Sequence, residues 1–187
     1  ALIHGGASLT YRELDARSGQ LAHLLRARGV TKRARVGVSL ERSPDMIVAL
    51  LAVLKAGGVF VPLDPAYPRD RLLGMVEDSA PLLLLADASS APKLAGAEPP
   101  TLVLDDSDTR RAVASAPPER LSPQAGYEDV AYVLYTSGST GGPKGVLGTH
   151  AGLVNRCAWM WRSFPFHSHD VVCQKTVLSF VDALWEC

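Results

Sequence analysis

The residues best suited to chemistry lie together between Tyr135 and Gly145, where the sequence reads YTSGSTGGPKG. This stretch holds four Ser or Thr residues, four glycines and one lysine, and it directly follows an apolar run. Glycines let backbone N–H groups converge on an anion, and hydroxyls add neutral donors that rotate to meet its oxygens. The pattern predicts a polyphosphate-binding loop whose contact residues are Thr136, Ser137, Gly138, Ser139, Thr140, Gly141 and Lys144.

The loop differs from the phosphate-binding loop of P-loop NTPases. Five residues after Gly138 stands Pro143, where that motif has Gly, and Lys144 is followed by Gly145 instead of Ser or Thr. A flexible surface loop is the alternative interpretation, because clusters of Gly, Ser and Thr often form one. The position of the stretch directly after an apolar strand favours anion binding.

The elements that position this loop follow an alternating strand and helix pattern. Residues 35–40 (RVGVSL) are typical of a strand, and Ser43 then caps a helix that has Pro44 at its first position. That helix ends near Gly57, and residues 59–63 form the next strand. Strand, helix and strand in this order predict a parallel pair with a right-handed crossover.

The rest of the chain continues the pattern. A capping box between Thr10 and Glu13 predicts a first helix that stops at Gly29. Past the loop, Thr149 caps a helix with Cys157, Trp161 and Phe164 on its apolar side. Further expected elements are a helix over residues 69–78, strands over 82–86, 101–104, 129–135, 145–147 and 171–174, and loops over 88–100 and 114–126. The predicted fold class is α/β, with layered βαβ subdomains and largely parallel sheets.

Composition narrows the class of protein. Of the 187 residues, 47% are hydrophobic and 20% are charged, which is typical of a folded chain. The formal net charge is zero, so we expect no nucleic-acid partner, and no apolar run is long enough to predict a membrane span or a signal peptide. Three cysteines without a CxxC pair favour a reduced, cytoplasmic protein.

Four segments, in order along the whole chain, carry a family resemblance. YTSGSTGGPKG resembles the phosphate-binding signature of the adenylate-forming superfamily, which includes acyl-CoA synthetases, luciferases and nonribosomal peptide synthetase adenylation domains. Residues 9–14, 54–64 and 179–186 resemble the first, second and fourth core motifs of those adenylation domains. Residues 1–187 are accordingly identified as a partial adenylation domain, the N-terminal lobe only, truncated at the fourth core motif.

The resemblance implies an activity in two steps. An amino acid attacks the α-phosphate of ATP and releases pyrophosphate, and the acyl group then passes to a phosphopantetheine thiol on a carrier domain. ATP and Mg²⁺ are the expected cofactors, and the carrier and condensation domains of the same assembly line are the expected partners. The catalytic and Mg²⁺-binding residues of the family are expected further along the chain, so these residues should hold no metal site and be inactive alone. An acyl-CoA ligase and a non-catalytic nucleotide-binding module are the alternatives.

The fourth motif departs from the family in a way that bears on the substrate. Adenylation domains usually have Asp directly after the Phe, where it binds the α-ammonium group, but this chain has Val181 there and Asp182 next. A β-amino acid places its ammonium one bond, about 1.5 Å, further from the carboxylate. Val181, Asp182 and Trp185, the positions that map to the family's substrate pocket, also resemble the start of the pattern associated with β-alanine-type substrates. The resemblance therefore implies β-alanine or a related β-amino acid as substrate, with these three residues in the pocket.

Two of these pocket candidates, Asp182 and Trp185, could also serve the fold and not the substrate. Asp182 stands three residues after Ser179, a spacing that also fits a capping box, and Trp185 could pack in a core. Lys55 is interpreted as a helix-end charge that reaches solvent, and His150 is the one histidine placed to approach the substrate.

Overall fold

Six strands form the main sheet of the computed structural model, which describes residues 1–117, 119–136 and 143–187. The strands are β3 (Arg35–Ser39), β4 (Val59–Pro62), β5 (Leu83–Ala86), β6 (Thr101–Val103), β7 (Val130–Thr136) and β8 (Lys144–Thr149). Their order across the sheet is β6-β5-β3-β4-β7-β8. All neighbouring pairs are parallel except β7 and β8, which are antiparallel. A separate hairpin joins β1 (Leu2–His4) to β2 (Ala7–Leu9).

Six α-helices accompany these strands. They are α1 (Tyr11–Ala27), α2 (Pro44–Ala56), α3 (Arg69–Ser79), α4 (Ser107–Ala114), α5 (His150–Ser163) and α6 (Ala183–Glu186). The helix ends follow the predicted local chemistry. Thr10 and Glu13 form the capping box of α1, Ser43 Oγ accepts the N–H of Met46 at the start of α2, and Gly57 ends α2 with a φ of 90°.

Helices cover both faces of the parallel strands. On one face α1 and α2 pack against Val36, Phe60 and Leu85, and on the other α3 packs against Val61 and Leu84. Strands that are buried on both sides need apolar residues at consecutive positions, which is why β4 and β5 are continuous apolar runs. The predicted fold class and the parallel β3–α2–β4 unit are confirmed.

Two sequence expectations are wrong, and one helix was not predicted. Residues 171–174 form no strand, because among the described residues no neighbouring strand is present to pair with them. Helix α4 was not expected, since its sequence SDTRRAVA is mostly polar and only the N-cap of Asp106 marks it. Trp161 and Phe164, placed on the apolar side of α5, are 64% and 57% exposed.

Lys55 bonds to α1, whereas its position near the end of α2 predicted a charge that reaches solvent. Its Nζ donates to Asp15 Oδ1 at 2.6 Å, to the Asp15 carbonyl at 2.9 Å and to Ser18 Oγ at 2.8 Å. The charge therefore ties α2 to α1 and does not extend freely into solvent. The hydrogen bond from Lys55 is the main reason that the pKa of Asp15 lies below its ordinary value.

Candidate nucleotide and substrate site

The predicted phosphate loop joins the last two strands of the sheet. Thr136 is the last residue of β7 and Lys144 the first of β8, and the two are partners in the antiparallel register. Both residues are exposed. They lie at the edge of the sheet where the parallel strands have their carboxyl ends, because β7 runs parallel to β4. Ser137, Gly138, Ser139, Thr140 and Gly141 lie outside the described residues. The structure thus fixes the two ends of the loop and leaves the predicted phosphate contacts a prediction.

Two tyrosines of β7 face two glycines of β8. Tyr135 is the register partner of Gly145 and Tyr132 that of Gly148. A Cβ atom on Gly148 would lie 2.0 Å from Tyr132 Cζ, and one on Gly145 would lie 3.4 Å from Tyr135 Cζ. The Tyr132 ring therefore occupies the space that a side chain at position 148 would need. At Gly145 the tightest neighbour of an added Cβ is Val133 Cγ1, at 3.0 Å, so the glycine in Pro-Lys-Gly has a packing role beside the loop.

Tyr135 also connects the start of the loop to α3. Its side chain is 6% exposed, and its hydroxyl donates to Asp78 Oδ2 at 2.5 Å. Burial, with the hydrogen bond to the Asp78 carboxylate, raises the pKa of Tyr135 to about 12. The residue next to the loop is thereby held as a neutral phenol against α3.

A pocket of about 330 Å³ lies between β7, α5 and the start of α6. Asp182 and Val181, two of the predicted substrate residues, line it together. The other lining residues are Tyr132, Gly152, Leu153, Arg156 and Leu184. Trp185, the third predicted residue, is half-buried and is not in this lining, while His150 is half-buried with its Nε2 unpaired among the described residues.

The carboxylate of Asp182 has an ion-pair partner that no sequence motif indicates. Arg156, 26 residues earlier on α5, donates from Nη2 to Asp182 Oδ1 at 2.9 Å. The guanidinium also lies 5.0 Å from the ring centroid of Trp159. Both side chains of the pair are partly exposed, 40% for Arg156 and 62% for Asp182.

The capping-box interpretation of Asp182 does not hold in the structure. Helix α6 begins at Ala183, so Asp182 is its N-cap residue, and the Asp182 side chain makes no capping hydrogen bond. Ser179 Oγ is buried and has no hydrogen-bond partner among the described residues. The carboxylate is therefore not needed to start the helix and remains directed to the pocket.

No three His, Cys, Asp or Glu side chains cluster in residues 1–117, 119–136 and 143–187. Mg²⁺ in nucleotide sites takes one or two carboxylates together with phosphate oxygens. No Mg²⁺ ligand is assigned here. Over the same residues, no helix combines the length and the apolar character of a membrane span.

Comparison with known proteins identifies the family. The family described as AMP-binding enzyme matches residues 1–187. The chain belongs to this family, which confirms the resemblance carried by the four motifs.

The relatives are multidomain peptide synthetases. Over all of this chain, it is 48% identical to one of the plipastatin synthase subunits of Bacillus subtilis strain 168 and 43% identical to tyrocidine synthase 3 of Brevibacillus parabrevis. It spans 7% and 3% of their lengths. The crystal structure of the nonribosomal peptide synthetase FmoA3 superposes with a TM-score of 0.87 at 30% identity, covering 97% of this chain and 19% of that one.

Proposed function

We propose that residues 1–187 are part of an adenylation domain that activates an amino acid as its aminoacyl-adenylate with release of pyrophosphate. The observation that carries the proposal is the β7–β8 pair, in which Thr136 and Lys144 stand exposed and opposite each other at the two ends of the glycine- and hydroxyl-rich loop. The peptide synthetases among the relatives support this activity over that of an acyl-CoA ligase or a non-catalytic module.

In this proposal the loop from Thr136 to Lys144 holds the β- and γ-phosphates of ATP. Attack at the α-phosphorus by the substrate carboxylate breaks the bond to the β-phosphate, and negative charge builds on the departing pyrophosphate. The Lys144 ammonium and the loop N–H groups would stabilise that charge. The bond from Tyr135 to Asp78 ties the residue before Thr136 to α3, and the register pair of Thr136 with Lys144 brings the two loop ends together.

The substrate half of the proposal places the ammonium group at Asp182. Its carboxylate and Val181 line the pocket, and the one-residue shift from the usual family position suits a β-amino acid such as β-alanine. An unpaired ammonium would bind poorly in a pocket this apolar without such a carboxylate. Trp185 would close the pocket from the side of α6.

The second step of the proposal uses groups outside this chain. The aminoacyl group would leave AMP for the phosphopantetheine thiol of a carrier domain, and a condensation domain would use the product. Mg²⁺ would neutralise phosphate charge when bound with ATP. No residue described here is assigned to hold the metal or the thiol.

ATP–pyrophosphate exchange by the full-length parent protein tests the proposal. We expect exchange with β-alanine and a lower kcat/KM with L-alanine. Exchange with L-alanine in preference to β-alanine would contradict the substrate assignment and leave the activity intact. No exchange with any amino acid, while ATP still binds, would favour a non-catalytic nucleotide-binding module.

A further inference from the structure

We infer that Arg156 is a positioning residue for the substrate ammonium site, in that it fixes the carboxylate of Asp182 toward the pocket. This inference rests on the proposed function, because it assigns a role within the same pocket. Arg156 touches neither ATP nor the reacting atoms in this proposal. Its effect on the substrate is transmitted through Asp182.

The first argument is that nothing else among the described residues holds the Asp182 carboxylate. The bond from Arg156 at 2.9 Å is the one hydrogen bond that the Asp182 carboxylate accepts from the described residues. The helix that follows is only four residues long and takes no capping bond from the side chain. A carboxylate that is 62% exposed and lacks this bond would sample several rotamers.

The second support is that Arg156 is itself well fixed. Its helix is tied to the segment before β7, since the N–H of His150 donates to the Asp129 carbonyl at 2.9 Å and that of Ala151 to the Tyr127 carbonyl at 2.8 Å. The guanidinium also lies within cation–π distance of the Trp159 ring. Its planar fork is pre-organised, so an arginine loses less entropy for each hydrogen bond that it forms.

The geometry leaves room for the substrate. Arg156 uses Oδ1, and Oδ2 accepts no hydrogen bond from the described residues. A carboxylate has about four lone-pair positions, so it can accept from a guanidinium and from an ammonium at once. Arg156 therefore orients one oxygen and leaves the other for the amino group.

Arg156 could instead compete with the substrate ammonium for Asp182, and the direction in which KM changes when Arg156 is removed distinguishes the two roles. A guanidinium that competed with the ammonium for Asp182 would weaken substrate binding, and its removal would lower KM for the amino acid. A guanidinium that positions Asp182 strengthens binding, and its removal raises KM. The two roles predict changes in opposite directions.

The test uses ATP–pyrophosphate exchange by the full-length parent protein and three variants. For Arg156→Gln we expect KM for the amino acid to rise about three- to fivefold, the fold-change that one partly exposed ion pair supplies. We expect kcat and KM for ATP to stay unchanged, which a general loss of folding would not allow. Arg156→Lys should recover part of the affinity, and Arg162→Gln, an exposed arginine in the last turn of the same helix, should match the wild type.

Each outcome decides a separate point. An unchanged or lower KM for the amino acid in Arg156→Gln overturns the positioning role, and so does an equal rise in KM for ATP. A wild-type protein without any exchange contradicts the proposed function itself, and the role of Arg156 falls with it.

Discussion

The parallel part of the sheet and the segment from residue 143 onward bury their apolar residues to very different extents. In the first region Phe60 and Leu84 are at most 2% exposed, and helices cover both faces. In the second, the buried hydrophobic residues among those described are Met160 and Ala183. Twelve large hydrophobic residues there are exposed: Val146, Leu147, Val154, Trp159, Trp161, Phe164, Phe166, Val171, Val172, Val177, Phe180 and Val181.

This difference in burial separates the well-packed core from the region that contains the candidate substrate pocket. The parallel strands and α1 to α3 form the buried core, and β7, from which the predicted phosphate loop starts, pairs with β4 in that core. The pocket residues Arg156, Val181 and Asp182 lie in the second region, where packing among the described residues is thin. Among the described residues, no helix or strand covers this apolar surface. The chain spans only 3% and 7% of the peptide synthetases that it matches.

The largest expected effect separates the two regions by stability. Phe60 is 2% exposed and its ring lies 5.8 Å from that of Tyr132, so Phe60→Ala should lower the free energy of unfolding by about 3–5 kcal/mol. Phe166 is 43% exposed, and Phe166→Ala should change it by less than about 0.5 kcal/mol. Urea denaturation of the 187-residue chain measures both. Equal losses of unfolding free energy in the two variants would contradict the difference in packing between the regions.

A smaller effect is expected where the two regions meet, at the contact of Tyr132 with Gly148. A methyl group on Gly148 would lie 2.0 Å from Tyr132 Cζ, so Gly148→Ala should cost about 1–3 kcal/mol as the ring is displaced. Gly74 in α3 is the matched control, because no atom lies within 4 Å of the position that its added methyl group would take. Gly74→Ala should stabilise the chain by about 0.5–1 kcal/mol. A neutral Gly148→Ala would show that the β7–β8 contact is loose.

The smallest expected effect concerns the hydrogen bond of Tyr135. Tyr135→Phe removes the bond to Asp78 and should cost about 1 kcal/mol. The effect depends on pH, because the pKa of Tyr135 is raised to about 12 in the folded protein. The stabilisation is complete below the unfolded pKa of about 10 and is lost as the pH rises through the folded pKa. Wild type should therefore lose more stability than Tyr135→Phe between those pH values in thermal unfolding, and parallel curves would contradict the assignment.

The features that could be predicted from the sequence are those whose causes are local. The caps at Thr10 and Ser43, the stop at Gly57 and the apolar runs of β4 and β5 each depend on neighbouring residues, so the parallel unit could be predicted. The predicted polyphosphate loop rests on the same kind of local signal, since its residue types stand side by side, and its phosphate contacts stay a prediction.

Features that depend on distant partners could not be predicted. Lys55 meets Asp15 across 40 residues, and Arg156 meets Asp182 across 26. The periodic patterns of helices and strands involve only neighbouring residues, so they do not reveal such pairs. The strand expected over residues 171–174 failed because an apolar run forms a strand only beside a partner strand. Asp182 could be named as a candidate from the sequence, whereas its ion-pair partner Arg156 could not.

The central claim is that the loop between Thr136 and Lys144 grips the triphosphate of ATP, and nucleotide affinity of a Lys144→Ala variant tests it most directly. Lys144 is exposed at the start of β8 and forms no ion pair within the described part of the chain. In the full-length parent protein, we expect Kd for ATP to rise about tenfold or more, the scale of one charged hydrogen bond, while Kd for AMP stays unchanged. Equal losses for ATP and AMP, or no loss for either, would contradict the claim.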